Sequence, residues 1–460
     1  MILTQGPQFN GKASKRLHVM AKPIGAACNI DCTYCYYLSK QDLLEYKKGC
    51  SPRMDDETLE TYIRQYIEGQ NTPEIIFSWQ GGEPTMLGLE YFEKIVLLQK
   101  KYQPSGIKIS NDLQTNGTLL NDEWCAFLAK NSFLVGLSID GPELLHNTYR
   151  TNKAGRGTFN QVMKAVELLH KHNVKFATLT CVNNLTSQNP LEVYRFLRDV
   201  VKSPQMQFIP IVEQKTFRTD APQVVGKGQV EQSNEQLRQG DKRLIPGHKD
   251  SVVESWCVSD EAWGNFLIAV FDEWARHDIG KVFVQYFEAS IETWMGRQNP
   301  LCTLGEVCGK GLAMEPTGDV FACDHYVYPE FKIGNINQRS LDDMAFDKKQ
   351  QEFGFAKSRS LTTQCQKCEY RFACHGECPK NRFIRTRDGE PGLNYLCAGW
   401  KKFFSHADRS IAYILRATKN PVKHGKYSDS ELQAAREKAI SERELLAQNT
   451  SSAPAYSTKF

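Results

Sequence analysis

Six short apolar runs recur between residues 16 and 215: RLHVMAK at 16–22, EIIFSWQ at 74–80, IKISNDLQTN at 107–116, LVGLSID at 134–140, KFATLTCV at 175–182 and MQFIPIV at 206–212. Their length and their β-branched and aromatic content predict strands. Between them the period changes. In DDETLETYIRQYIEG (55–69) and TFNQVMKAVELLHKHN (158–173) apolar residues return every three or four positions, as on a helix with one buried face. Asp55 and Thr158 stand where a side chain can cap the first turn. Strand and helix in alternation predict an α/β fold of parallel βα units, and six units make a partial (β/α)6 barrel of the TIM type.

Beyond residue 212 the alternation stops. Residues 213–254 are polar and aperiodic and read as a long insertion or surface excursion. SDEAWGNFLIAVFDEWARHD (259–278) is a strong helix, with Ser259 as its cap and acidic residues in its first turn. From Cys302 the chain turns to short segments rich in cysteine and glycine, the texture of a small domain held by metal. A charged helix from about 427 and a polar tail end the chain. The expected organisation is therefore a core at 16–255 that includes the insertion, a helical connector at 256–300, a Cys-rich domain at 301–400, and C-terminal helices with a tail at 401–460.

Composition narrows the class. With 460 residues, 41% hydrophobic and 24% charged, the chain has material for several cores and is no disordered or fibrous sequence. A net charge of +4 is too diffuse for a nucleic-acid or anionic-membrane partner. The greasiest run, FLIAVF at 266–271, is too short to span a bilayer, and the N-terminus lacks the apolar core of a signal peptide, so a cytoplasmic address is expected. In a reducing compartment, 15 cysteines point to metal ligands or reactive thiols rather than to disulfides.

Three of these, Cys28, Cys32 and Cys35, follow the first strand, where a βα loop leaves the mouth of a barrel. A closed zinc or iron–sulfur site takes four ligands, whereas three thiolates on a cubane leave one iron open. A structural zinc completed by a distant residue such as His18 has the same spacing. Around the same mouth, QGGEP (80–84) offers Gly81 and Gly82 for close backbone approach and Glu83 as an acceptor, while QTNG and SIDG place polar groups at the next two strand ends. Each alone is an ordinary turn; in this order they outline a ligand site. Farther on, Cys302, Cys308, Cys323, Cys365, Cys368, Cys374, Cys378 and Cys397 suffice for two four-ligand centres, of iron or of zinc. Cys50, Cys125, Cys181 and Cys257 read as buried or incidental thiols.

CxxxCxxC at 28–35, followed by GGEP, QTNG and SIDG, resembles the radical S-adenosylmethionine enzymes over residues 16 to 215. The resemblance implies a [4Fe-4S] cluster whose open iron chelates S-adenosylmethionine. It implies that Gly81, Gly82 and Glu83 hold the amino group, that Ser138 and Asp140 face ribose or carboxylate, and that Tyr34 with residues 208–212 borders adenine. Gln114 and Asn116 would line the mouth, and Arg150 would meet a carboxylate. CxxCxxxxxCxxxC at 365–378 looks like the SPASM extension of peptide-modifying members. That likeness implies two auxiliary [4Fe-4S] clusters, one on Cys302, Cys308, Cys323 and Cys378, the other on Cys365, Cys368, Cys374 and Cys397.

Within that group SWQGGEPT, CTYCYY and FACDHY resemble anaerobic sulfatase-maturating enzymes. By this resemblance a cysteine or serine of a sulfatase, in a Cys/Ser-x-Pro/Ala-x-Arg type motif, becomes formylglycine. Asp324 would take the thiol or hydroxyl proton, Tyr37 and Gln80 would orient the substrate, and flavodoxin or ferredoxin would donate electrons. A SPASM-type crosslinking enzyme and a non-catalytic metal-binding regulator are the other readings. The bland reading of Asp324 is a carboxylate paired with Lys332 or another cation.

Overall fold

The six expected strands form and lie side by side in chain order: β1 (His18–Ala21), β2 (Glu74–Trp79), β3 (Lys108–Thr115), β4 (Leu134–Ser138), β5 (Lys175–Val182) and β6 (Gln205–Pro210), all parallel. This computed structural model describes residues 17–44, 52–222, 237–420 and 422–424, with the backbone of 8–9 and 12–13. A two-residue β7 (Phe283–Val284) extends the β6 edge in the same direction. At the other edge the Cys-rich segment contributes β8 (Gly311–Met314), parallel to β1, then β9 (Asp319–Phe321) and β10 (Lys332–Asn335) as an antiparallel meander. One ten-stranded sheet thus runs through both halves of the chain. The physical reason is the open edge of β1, whose unpaired amides and carbonyls need partners. The consequence is local: Lys22 N donates to Met314 O at 2.8 Å, so the loop after β1 and the Cys-rich domain share one seam.

Helices cover the outer face as the periodicity predicts. In α1 (Asp56–Glu68) Asp55 caps the first turn, accepting from Thr58 N at 2.8 Å, and Leu59, Tyr62, Ile63, Tyr66 and Ile67 are buried. Each such side chain contributes about 1.5–3 kcal/mol by burial. α2 (Phe159–Lys171) forms, but Thr158 does not cap it. Its hydroxyl donates to Arg150 O at 2.9 Å and meets His146 Nε2 at 3.0 Å, so it fixes the loop carrying Arg150.

α3 (Asp260–His277), capped by Ser259, packs along α4 (Cys397–Ala417). Gly264 and Gly399 meet at the crossing, where a Cβ on Gly399 would lie 2.1 Å from Asp260 O. Only glycine admits that approach. The helix begins at Cys397, inside the expected Cys-rich domain, and so anchors that cysteine to the barrel's helical coat.

The described parts of the polar segment lie at the surface but send single apolar side chains inward. In its described parts, Phe217, Leu237, Leu244 and Val253 are buried, Tyr328 Oη donates to Phe217 O at 2.6 Å, and Tyr395 Oη donates to Leu244 O at 3.0 Å. It straps the barrel to the Cys-rich domain. These four apolar residues are spread singly along the segment, so they show no period. The charged helix expected from about 427 lies outside the described residues. Among the described residues no helix is long and apolar enough to cross a membrane.

Candidate active site

Cys28, Cys32 and Cys35 follow β1, and a short antiparallel pairing of Ile30–Cys32 with Arg150–Asn152 puts Cys32 opposite Arg150. Burial pushes Cys28 up to about 11 and Cys32 up to about 12, and it raises Cys35 as well. The Arg150 guanidinium opposes that rise at all three. Buried thiols of this kind become thiolates when a metal replaces the proton. Among the described residues no three His, Cys, Asp or Glu side chains converge on one point as a single ion requires. A cubane asks for the wider grouping, because each thiolate binds a different corner. His18 lies at the start of β1, against Gly311, at the far end of that strand from the thiols.

The glycines back onto this loop. Gly82 N donates to Gly25 O at 2.7 Å and Glu83 N to Ala27 O at 2.9 Å. A Cβ on Gly82 would stand 1.8 Å from Ala27 O, and Gly81 has φ +127°. The motif therefore presses directly on the residues before Cys28. Glu83 is fully buried, with its carboxylate accepting from Thr85 N, Thr85 Oγ1, Thr115 Oγ1 and Asn116 N. Its side chain ties the second strand end to the third. Asn116 Nδ2 then reaches Asn29 Oδ1 at 2.9 Å and comes within 3.8 Å of Cys28 Sγ.

Gln114 Nε2 donates to Ser138 Oγ at 3.0 Å across the next two strand ends, crossing Gly136, where a Cβ would meet Gln114 Oε1 at 2.6 Å. Asp140 is buried; it accepts from Cys181 N at 3.0 Å and from the Tyr34 hydroxyl, to which Arg150 also donates at 2.9 Å. Tyr34, Asp140 and Arg150 are thus one buried cluster beside Cys32, and Arg150 is no surface ion pair. Its Nε has no protein partner, a donor left over at the mouth. Cys181 belongs to this neighbourhood, with burial raising its thiol and Asp140 and Arg150 close by. In residues 208–212, Phe208 packs outward on Phe266 of α3 at 5.1 Å between ring centroids.

The eight later thiols fall into two groups. Cys323 is influenced by Cys302, Cys378 and Cys308, and Cys365, Cys368, Cys374 and Cys397 line one cavity. The interleaved sets implied by resemblance are the sets that the structure brings together.

Asp324 stands at the seam of the two halves. Lys22 Nζ lies 2.6 Å from its Oδ1, and the Tyr36 hydroxyl donates to its Oδ2. Burial works to raise this carboxyl, yet Lys22 and His325 outweigh it and hold Asp324 below the usual range. The partner is not Lys332, which pairs with Asp319 at 2.7 Å. Tyr37, two positions after Cys35, is buried and donates to Glu315, with Lys22 Nζ 4.0 Å from its ring centroid. His325 Nδ1 is 3.5 Å from Cys378 Sγ. Lys22, Glu315 and His325 are not singled out by the sequence, and Tyr36 enters there only as part of CTYCYY, with no role; Lys22 carries one signal, a charge ending a largely apolar strand.

A partial parallel barrel with three open-sided thiols at its mouth, joined to a two-centre cysteine domain, defines a radical S-adenosylmethionine enzyme with a SPASM extension. The family model for the radical SAM superfamily matches residues 23–197, and the SPASM iron–sulfur cluster-binding domain matches residues 302–369. A serine-type anaerobic sulfatase-maturating enzyme of Bacteroides thetaiotaomicron is 45% identical over 407 residues, covering 88% of this chain and 93% of that one. A cysteine-type enzyme of Clostridium perfringens is 31% identical, covering 85% and 96%. A solved structure described as native anSMEcpe with bound AdoMet and Kp18Cys peptide superposes with TM-score 0.73 at 30% identity, covering 88% of this chain and all of that one. The chain belongs to the family of anaerobic sulfatase-maturating enzymes.

Proposed function

We propose that this enzyme oxidises the β-carbon of a serine or cysteine in a sulfatase polypeptide to formylglycine, and that Asp324 is its base. When bound, S-adenosylmethionine and the clusters supply hydrogen abstraction from an unactivated carbon and an acceptor for the remaining electron. The chain supplies position and proton transfer. Cys28, Cys32 and Cys35 would hold the cluster that carries the cofactor. Gly81, Gly82, Asn116, Ser138, Asp140 and Arg150 would form its bed, Glu83 bracing it from behind. The two later cysteine groups would hold auxiliary [4Fe-4S] clusters, three clusters in all.

The observation that carries this reading is the position of Asp324: 13% exposed, anionic, next in the chain to Cys323 and bonded to Tyr36 from the first cysteine motif. A base that takes a hydroxyl or thiol proton at neutral pH needs that ionised state. Lys22 keeps it so, and Tyr36 fixes its orientation. Tyr37, committed to Glu315, would act by packing, and Gln80 would face the target side chain. We further infer a cytoplasmic site of action, a flavodoxin or ferredoxin as reductant, and a target motif of the Cys/Ser-x-Pro/Ala-x-Arg type.

The test is anaerobic turnover of short serine and cysteine peptides with S-adenosylmethionine and a reductant. A serine peptide is expected to lose two hydrogens, and a cysteine peptide to lose the same pair and exchange sulfur for oxygen. A product that retains its sulfur in a new crosslink would overturn the assignment.

A further inference from the structure

Two cationic side chains are buried beside Cys302 and Cys308 with no acid to match them. Lys357, near the end of the helix Lys348–Arg359, is fully buried, and its Nζ donates to Cys302 O at 2.8 Å and to Thr303 O at 2.7 Å. The same helix meets the second thiol's backbone, where Cys308 N donates to Gly354 O at 3.1 Å. Arg382 is 2% exposed, and its guanidinium donates to the carbonyls of Gly376, Lys357, His375 and Glu377 and to the Ser360 hydroxyl. All of these acceptors are neutral. Among the described residues no carboxylate pairs with either side chain, and an unmatched buried charge is costly.

Glu377, the buried carboxylate of this region, is taken by amides instead: it accepts from Asn394 Nδ2 at 2.6 Å and Asn381 Nδ2 at 3.1 Å. It acts on both cysteine sets, on Cys302, Cys308 and Cys378 of one and on Cys374 of the other, so it does not tell them apart. The cations do. Burial raises Cys302 and Cys308, while Lys357 opposes the rise at both and Arg382 opposes it at Cys308. Around the other set, Lys367, Glu369, Arg371 and Lys401 border the cavity and all four are exposed, where water and salt screen them. A four-iron core on four thiolates is a net anion, and reduction adds one more negative charge. A cation held out of water beside it therefore favours the reduced form and raises the potential.

We propose that Lys357 and Arg382 are the counter-charges of the centre on Cys302, Cys308, Cys323 and Cys378, and that they set its reduction potential above that of the centre on Cys365, Cys368, Cys374 and Cys397. The single electron leaving the substrate is then held beside Asp324, which takes the proton: the substrate radical is oxidised by one electron and the centre reduced by one. This assignment rests on the reading above. Neither side chain is a catalytic residue, since both act through the centre.

The test uses the reconstituted full-length enzyme without peptide, titrated with a reductant while paramagnetic resonance follows each reduced cluster. The cluster on Cys28, Cys32 and Cys35 is recognised by the change in its signal when S-adenosylmethionine is added. Of the two remaining signals, C397S is expected to lose the one of lower potential. K357M, with iron content and thermal midpoint checked, is expected to move the higher one down by about 59 mV or more, which is about tenfold in a one-electron equilibrium, and K357R is expected to restore it. Loss of the higher-potential signal in C397S would overturn the proposal without any change at Lys357, and so would an unmoved potential in K357M or zinc in place of iron at the Cys302 set. Formylglycine production by the wild type is scored separately, so a peptide that fails to react and a potential that fails to shift are told apart.

Discussion

Lys22 Nζ and Asp324 Oδ1 lie 2.6 Å apart, one at the end of the first barrel strand and the other beside a cysteine of the SPASM domain. Lys22 is 2% and Asp324 13% exposed, so the pair is largely shielded from water, and a lone charge left by removing either partner is destabilising. Replacing Asp324 with asparagine keeps the shape and removes the base. Turnover in D324N is expected to fall about 10²- to 10⁴-fold with peptide binding and iron content near wild type. K22M strands the carboxylate as D324N strands Lys22, so both should melt lower than wild type, and K22M should lower turnover as well. Mass spectrometry of the peptide reads the chemistry and a melting curve the lost pair; unimpaired turnover in D324N would remove Asp324 from the chemistry.

The two adjacent tyrosines should behave differently. Tyr36 donates to Asp324, whereas Tyr37 donates to Glu315 and supports Lys22 through its ring. Y36F removes a hydrogen bond to the carboxylate that is expected to act. Y37F keeps the ring but removes its hydrogen bond to the Glu315 carboxylate, a loss of about 1.5–3 kcal/mol. The expectation is a lower kcat at normal stability for Y36F, and a lower melting temperature at near-normal kcat for Y37F. The reverse pattern would exchange their roles.

Backbone contacts give an independent handle on the first cluster. In G82A the new Cβ must displace Ala27 O from 1.8 Å, and neither group is a flexible side chain. The loop entering Cys28 has to shift. Iron analysis should show loss of about four irons from a total of about twelve, with the SPASM centres retained. Full iron occupancy with intact turnover would mean that the loop relaxes without disturbing the thiols.

Much of this was legible from the chain, because it depends on local pattern. All six strands, α1 with its Asp55 cap, the grouping of Cys28, Cys32 and Cys35, and the polar strand ends lie in short windows where spacing decides the geometry. The rest depends on pairings between distant segments. β8 joins β1 through backbone bonds that leave no periodic trace, and that one pairing sets Lys22 beside Asp324. The described parts of the segment at 213–254 read as solvated because single buried residues such as Phe217 and Leu244 show no amphipathic period. Thr158 had the right identity and place for a cap, yet a buried carbonyl and a histidine claimed its hydroxyl.

Lys40 makes stability depend on pH. It is 2% exposed, with Nζ 3.3 Å from the centroid of the Tyr328 ring. Burial lowers it from 10.5 to about 7; Lys380 adds to the fall, while Glu213, Asp324 and Glu330 resist it. The unfolded chain binds this proton more tightly, so between about pH 7 and 10 the folded state gains stability as pH rises. K40M, which cannot take a proton, should melt higher than wild type at pH 7, and the gap should close toward pH 9.5. A gap independent of pH would show that the ammonium stays charged in the fold.

Metal removal should act on the SPASM half as a folding reaction. Burial raises Cys302, Cys308, Cys323, Cys378 and Cys374, and it pushes Cys397 up to about 12, so at neutral pH all six are protonated when no metal holds them. Cluster assembly therefore releases protons, and acid works against it. The two groups also bind different parts of the molecule. Cys397 opens α4, which is locked to α3 at the Gly264–Gly399 crossing, whereas Cys302, Cys308 and Cys323 surround the hairpin that completes the β1 edge. C397S should lose one cluster while the α3–α4 contact keeps the barrel folded and the first cluster bound. C302S should loosen the seam that holds Lys22 and Asp324, and so abolish turnover as well as one cluster. Hydrogen exchange over residues 18–22 and 311–321 reads the difference: faster in C302S, unchanged in C397S. Equal exchange in the two variants would mean that the seam is held by the sheet alone.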